Sequence, residues 1–128
     1  MKIFEGKDSS WGEKINFVDN NDVFVGYDMG QCCCEGADWF IADTITPYSY
    51  DSDDDSKEVP DVEAYVFDKD FFQEVESGDL DDGGMVAFKL IAENKPNLYL
   101  HLFNCHNGYY GHGFEVKHGG ETVLNGCL

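Results

Sequence analysis

Hydrophobic and polar positions alternate along most of this chain in short runs with the two-residue period of a β-strand, and clusters of turn residues separate the runs. The clearest run is residues 98–104, which puts Leu98, Leu100, Leu102 and Asn104 on one face and Tyr99, His101 and Phe103 on the other. Cys105-His106-Asn107-Gly108-Tyr109-Tyr110-Gly111-His112 follows, then Gly113-Phe114-Glu115-Val116. Asn-Gly readily takes the two positive φ angles of a tight reverse turn, so residues 98–104 and 113–116 are expected to pair as the central hairpin of an antiparallel sheet.

The rest of the chain follows the same grammar. Residues 15–18 and 23–27 flank the polar cluster Asp19-Asn20-Asn21-Asp22 and predict a hairpin, and Trp39-Phe40-Ile41-Ala42 predicts a third strand. Residues 62–67 and 85–91 predict two more. The second of these turns through Asn94-Lys95-Pro96-Asn97 to pair with 98–104. Lys117-His118-Gly119-Gly120-Glu121 turns again into a last strand at 122–124. Residues 68–75 are the one helix candidate, with Phe71, Phe72 and Val75 on one side.

Seven or eight short strands with at most one short helix predict a mainly β fold: an antiparallel β-sandwich, or a curled, partly closed sheet. An α+β fold is the alternative, should the segment around Asp70 extend. A length of 128 residues fits a single β-rich domain over 1–128, with acidic loops near 49–60 and 76–84. Ten Phe, seven Tyr and two Trp supply a core of large rings.

Charge narrows the function classes. With 26 Asp and Glu against 8 basic residues, the formal net charge is -18, which disfavours nucleic acids and anionic membrane surfaces and steers a basic protein inward. Solubility, or a salt-rich source, explains the same acidity without any partner. No apolar run approaches the roughly 20 residues of a membrane span, and Met1-Lys2-Ile3-Phe4-Glu5-Gly6-Lys7 lacks the apolar core of a signal peptide, so a cytoplasmic location is expected. Five cysteines, three of them adjacent, do not form a secreted disulfide framework; in a reducing compartment they are thiols or metal ligands.

Three constellations carry candidate chemistry. Cys32, Cys33 and Cys34 in one turn with Cys105, His106 and His112 in another could supply the four ligands of zinc, although no Cys-x-x-Cys pair exists and adjacent cysteines point in different directions. Buried reduced thiols, packing as small hydrophobes, are the plainer expectation, and with it no cofactor. A nucleophilic Cys with His101, His106 or His112 as base and Glu35 or Asn107 as orienter is a second arrangement, disfavoured because surrounding carboxylates raise a thiol pKa. The third is a binding surface of Asn107, Tyr109, Tyr110 and His112, joined by Glu35, where aromatic rings stack and hydrogen-bond a ligand; a core-capping turn is the plainer account. Asp51, Asp53 and Asp55 have the spacing that opens a calcium loop, but Ser56 and Val62 stand where glycine and a bidentate glutamate are needed. No phosphate loop, dinucleotide fingerprint or serine elbow is present.

Gln31, Cys33, Cys34 and Glu35 after the first hairpin, with Asn107, Gly108, Tyr109 and Tyr110 after a late strand and Gly113 and Phe114 beyond, resemble a family of uncharacterised bacteriophage and bacterial domains. That family carries a motif like Gln-Asp-Cys-Cys-Glu and an Asn-Gly-Tyr-Tyr motif. Cys32 stands where the pattern has Asp, and His106 where it often has Ser. The resemblance runs from Phe17 to Val116, implies a sheet-rich domain with the two turns together, and implies no reaction.

The expectation is a non-enzymatic binding domain of undetermined oligomeric state. In one version it is an inhibitor or immunity-type protein that presents Asp51 to Asp55 and Asp79 to Asp82 to a basic partner. The competing expectation is a metal or thiol site at the paired turns.

Overall fold

The computed structural model describes residues 1–7, 13–28, 36–45, 61–75, 84–105 and 113–128. Among these residues nine strands are formed: β1 (Lys2–Lys7), β2 (Glu13–Val18), β3 (Val23–Asp28), β4 (Gly36–Ala42), β5 (Val66–Val75), β6 (Gly84–Ile91), β7 (Leu98–Cys105), β8 (Gly113–His118) and β9 (Glu121–Cys127). Among the described residues there is no helix. The strands make two antiparallel sheets, one ordered β1-β2-β3-β8-β9 and the other β4-β7-β6-β5, and neither closes into a barrel.

The two sheets pack face to face. Ile15, Phe17, Val23, Val25, Tyr27, Phe114 and Val116 of the first sheet bury against Phe67, Val86, Phe88, Leu90, Leu98, Leu100 and Leu102 of the second. Each set occupies alternate positions of its strands, as a half-buried sheet requires. Phe17 meets Trp39 edge-on across the core at 5.2 Å. The Tyr27 hydroxyl donates to the Phe103 carbonyl at 2.7 Å, so the one polar atom of a fully buried ring is satisfied in the opposite sheet.

The predicted central hairpin is not formed. β7 and β8 lie in different sheets, because β7 already has β4 and β6 on its two sides. The physical cause is burial on both faces. Leu98, Leu100 and Leu102 join the inter-sheet core, while Phe103 packs with Met85, Phe40 and Val75 in a second cluster on the other face. A strand apolar on both faces is stable in the middle of a sheet, and there it has no free edge. The helix expected over 68–75 is likewise replaced, by the long strand β5. Phe67 pairs with Leu90 and Phe72 with Phe88, so residues 68–71 stand opposite Lys89 alone. This bulge returns Phe67 and Phe72, five residues apart, to the same inner face, and it is what makes the segment look unlike a strand. β1 was not foreseen either.

The turns obey their chemistry. Gly119 and Gly120 both have positive φ, 62° and 88°, and close β8 onto β9 in two residues. In the β2–β3 turn, Asp19 is buried and holds three backbone N–H groups: Asn21 N and Val23 N donate to Oδ1 at 2.9 and 3.0 Å, and Phe67 N donates to Oδ2 at 2.9 Å. One carboxylate thus ties a turn of the first sheet to the start of β5 in the second.

Candidate functional site

Strand direction decides where the motif-bearing connections attach. Successive strands run up and down, and the Tyr27–Phe103 and Asp19–Phe67 bonds fix the sheets end against end. The strands flanking residues 8–12, 29–35, 76–83 and 106–112 therefore all meet these connections at one end of the sandwich. Cys32, Cys33, Cys34 and Glu35 belong to the β3–β4 connection, and His106, Asn107, Tyr109, Tyr110 and His112 to the β7–β8 connection; these residues lie outside the described ones. Their anchors are neighbours. Tyr27 of β3 pairs with Phe114 of β8, and Gly36 of β4 pairs with Cys105, the last residue of β7. Both connections cross from one sheet to the other between adjacent strands.

The acidic runs attach differently. Residues 51–55 belong to the β4–β5 connection and 79–82 to the β5–β6 connection, both outside the described residues, so they meet β5 at opposite ends. The two ends of β5 lie opposite Met85 and Ile91 of β6, which puts them roughly 20 Å apart.

His101 is fully buried, with its ring stacked on Phe40 at 4.2 Å and an interplanar angle of 9°. Its Nδ1 lies 3.0 Å from the Tyr99 carbonyl, an acceptor for a ring N–H. Burial lowers its pKa from 6.5 to about 4, against the opposing pull of the Tyr99 and Phe40 carbonyls.

The outward face of the first sheet carries a compact charged group. Lys14 Nζ donates to Glu115 Oε1 at 2.8 Å, Lys117 Nζ lies 3.7 Å from the same oxygen, and the two ammonium groups flank the Phe24 ring at 5.8 and 5.9 Å. The hydrogen bond from Lys14 holds the Glu115 carboxyl below the usual carboxylate range, and Lys117 adds to it.

Concavity appears on the side where β9 faces β5. One cleft of about 410 Å³ is bounded by Phe72, Glu74, Met85, Phe114, Leu124 and Gly126. A second, of about 290 Å³, is bounded by Val25, Phe67, Asp68, Phe72, Phe88 and Leu124. Phe72 and Leu124 belong to both. The rings of Phe72, Phe88 and Phe114 form the partition, with centroids 5.4 to 6.2 Å apart. Phe114 lies so close over Gly126 that a Cβ there would come within 2.7 Å of its Cζ, so glycine is what lets the ring seat against β9. The sequence pattern concealed these residues. Reading Phe71, Phe72 and Val75 as a helix face hides the cleft, whereas the odd spacing of Phe67 and Phe72 was the available sign of a bulge.

Among the described residues, no group of three or more His, Cys, Asp or Glu side chains could hold a metal ion, and no helix is long and apolar enough to cross a membrane. No protein-family model matches the chain, and neither a curated protein nor a solved structure matches it.

Proposed function

We propose that the chain is a small, acidic, non-enzymatic binding domain of the cytoplasm that associates with a basic protein, in the manner of an inhibitor or immunity protein. The observation that carries this reading is the distribution of charge. Residues 51–58 hold Asp51, Asp53, Asp54, Asp55 and Glu58 against Lys57 alone, and residues 76–82 hold Glu76, Asp79, Asp81 and Asp82 with no basic residue. Lys14 and Lys117, by contrast, sit on a sheet face and are already engaged with Glu115. Connections on a rigid sandwich are where binding residues collect, and like-signed carboxylates there accelerate encounter with a cationic surface.

Because the two runs attach at opposite ends of β5, each is tested separately. Replacing Asp79, Asp81 and Asp82 by Asn, and in a second variant Asp51, Asp53, Asp54 and Asp55, should weaken binding to a basic nuclease in one variant by about tenfold at low salt, the sum of a few exposed ion pairs. The affinity should also fall steeply with ionic strength. No association with any basic nuclease at low salt would refute the reading.

The pairing of Gly36 with Cys105 favours a second reading, a zinc site drawn from Cys32, Cys33, Cys34, Cys105, His106 and His112. One zinc per chain in a native mass spectrum of protein purified without chelator would establish it, and would replace reduced thiols as the account of the cysteines.

A further inference from the structure

The clefts between β9 and β5 have a feature that basic-protein binding does not use: a ring-lined interior whose ionisable side chains, among the described residues, are carboxylates. We propose that they bind a small amphipathic amine, its apolar body against Phe72, Phe114 and Leu124 and its ammonium at the rim beside Glu74. This goes beyond the reading above and stands without it.

The opening has a structural cause. The bulge between Phe67 and Phe72 interrupts the pairing of β5 with β6, and β9 has its own irregularity where Val116 pairs with Leu124 but Lys117 pairs with Thr122, leaving Val123 unpaired between them. Both edge strands are thus irregular where they face each other across the core, and the sheets do not seal. The result exposes apolar groups. Val123 is 62% and Phe72 38% exposed, at the border of an otherwise buried core.

Volume and charge specify the occupant. Clefts of about 410 and 290 Å³ sharing Phe72 and Leu124 are of the size that holds a small organic molecule. Among the described residues, the ionisable side chains on the two walls are Glu74 and Asp68. An anionic amphiphile meets two carboxylates and a net charge of -18, whereas a cationic one gains from each. An aromatic body also suits the Phe72, Phe88 and Phe114 rings, which already pack tilted and edge-on.

The test is a titration of the ¹⁵N-labelled protein with 4-phenylbutylamine, 4-phenylbutyrate and butylamine, followed in ¹H–¹⁵N spectra. With 4-phenylbutylamine, amide shifts should concentrate at Phe72, Leu124 and Gly126, with a Kd at least tenfold below that of either other compound. Glu74→Gln should weaken binding by about threefold to tenfold, as for one partly exposed charge pair. Leu124→Trp, which fills the wall common to both clefts, should abolish the localised shifts. Shifts spread over the acidic surface and equal for butylamine would overturn the proposal, as would unchanged binding by a folded Leu124→Trp protein. Should that variant not fold, Glu74→Gln and the three probes decide the matter. None of these outcomes bears on binding to a basic protein.

Discussion

Asp19→Ala should cost this protein about 3 to 5 kcal/mol, a third or more of the total stability of an ordinary domain. The carboxylate is the acceptor for Asn21 N, Val23 N and Phe67 N, and its residue is only 6% exposed. Alanine leaves the buried N–H groups of Val23, in the turn, and Phe67, at the entrance to β5, without an acceptor, and turns the half-buried Asn21 N–H over to water. An unsatisfied buried N–H costs about 1 to 3 kcal/mol. Asp19→Asn keeps an oxygen for two donors but aims an NH₂ at the third, so it should lose roughly half as much. Urea unfolding of the three proteins measures the series. A loss below about 1 kcal/mol for alanine would mean that water reaches these groups and that Asp19 does not clasp the sheets.

Acid should expose His101. Its pKa is near 6.5 in an unfolded chain and about 4 in the fold, so between those values the unfolded chain takes up a proton that the native ring refuses. Its contribution is fully present above pH 6.5, declines as pH falls through the window, and is gone below about 4. A separation of this size corresponds to about 3 kcal/mol. Carboxylates titrate in the lower part of the same range, so the informative quantity is the difference between wild type and His101→Phe, which keeps a ring against Phe40 but cannot titrate. The stability of the wild type relative to the variant should drop by about 3 kcal/mol from pH 7 to pH 4. Parallel stability–pH curves would show that the imidazole is solvated.

Local signals and long-range pairing were not equally legible in the sequence. The β2–β3, β6–β7 and β8–β9 hairpins could be read because their turns are written in residues with a mechanism: the Asp19 to Asp22 cluster, Asn94 at φ 61°, and Gly119-Gly120. Asn107-Gly108 is the same kind of signal, yet β7 and β8 do not pair. What overrides it is the burial of both faces of β7, which fills its two edges with β4 and β6. β1 escaped notice because its alternation is weak: among its described side chains Lys2 and Phe4 are exposed and Ile3 packs against the core. The bulge in β5 broke the two-residue period and imitated a helix. The motif residues of the two cross-sheet connections could be named from sequence, but which strands anchor them depends on sheet order, which no local pattern encodes. The β9–β5 cleft is a product of two strand irregularities meeting across the core, and so could be found only in three dimensions.

The placement of the motif-bearing connections depends on β3 lying beside β8, β4 beside β7, and β7 apart from β8. A three-dimensional ¹³C- and ¹⁵N-resolved NOESY spectrum addresses this directly. Cross-strand contacts should join the backbones of Val25 and Val116, Tyr27 and Phe114, and Trp39 and Leu102, with none between β7 and β8. A ladder of contacts running from Leu102 and Asn104 to Phe114 and Val116 would instead restore the simple hairpin and contradict the two-sheet arrangement.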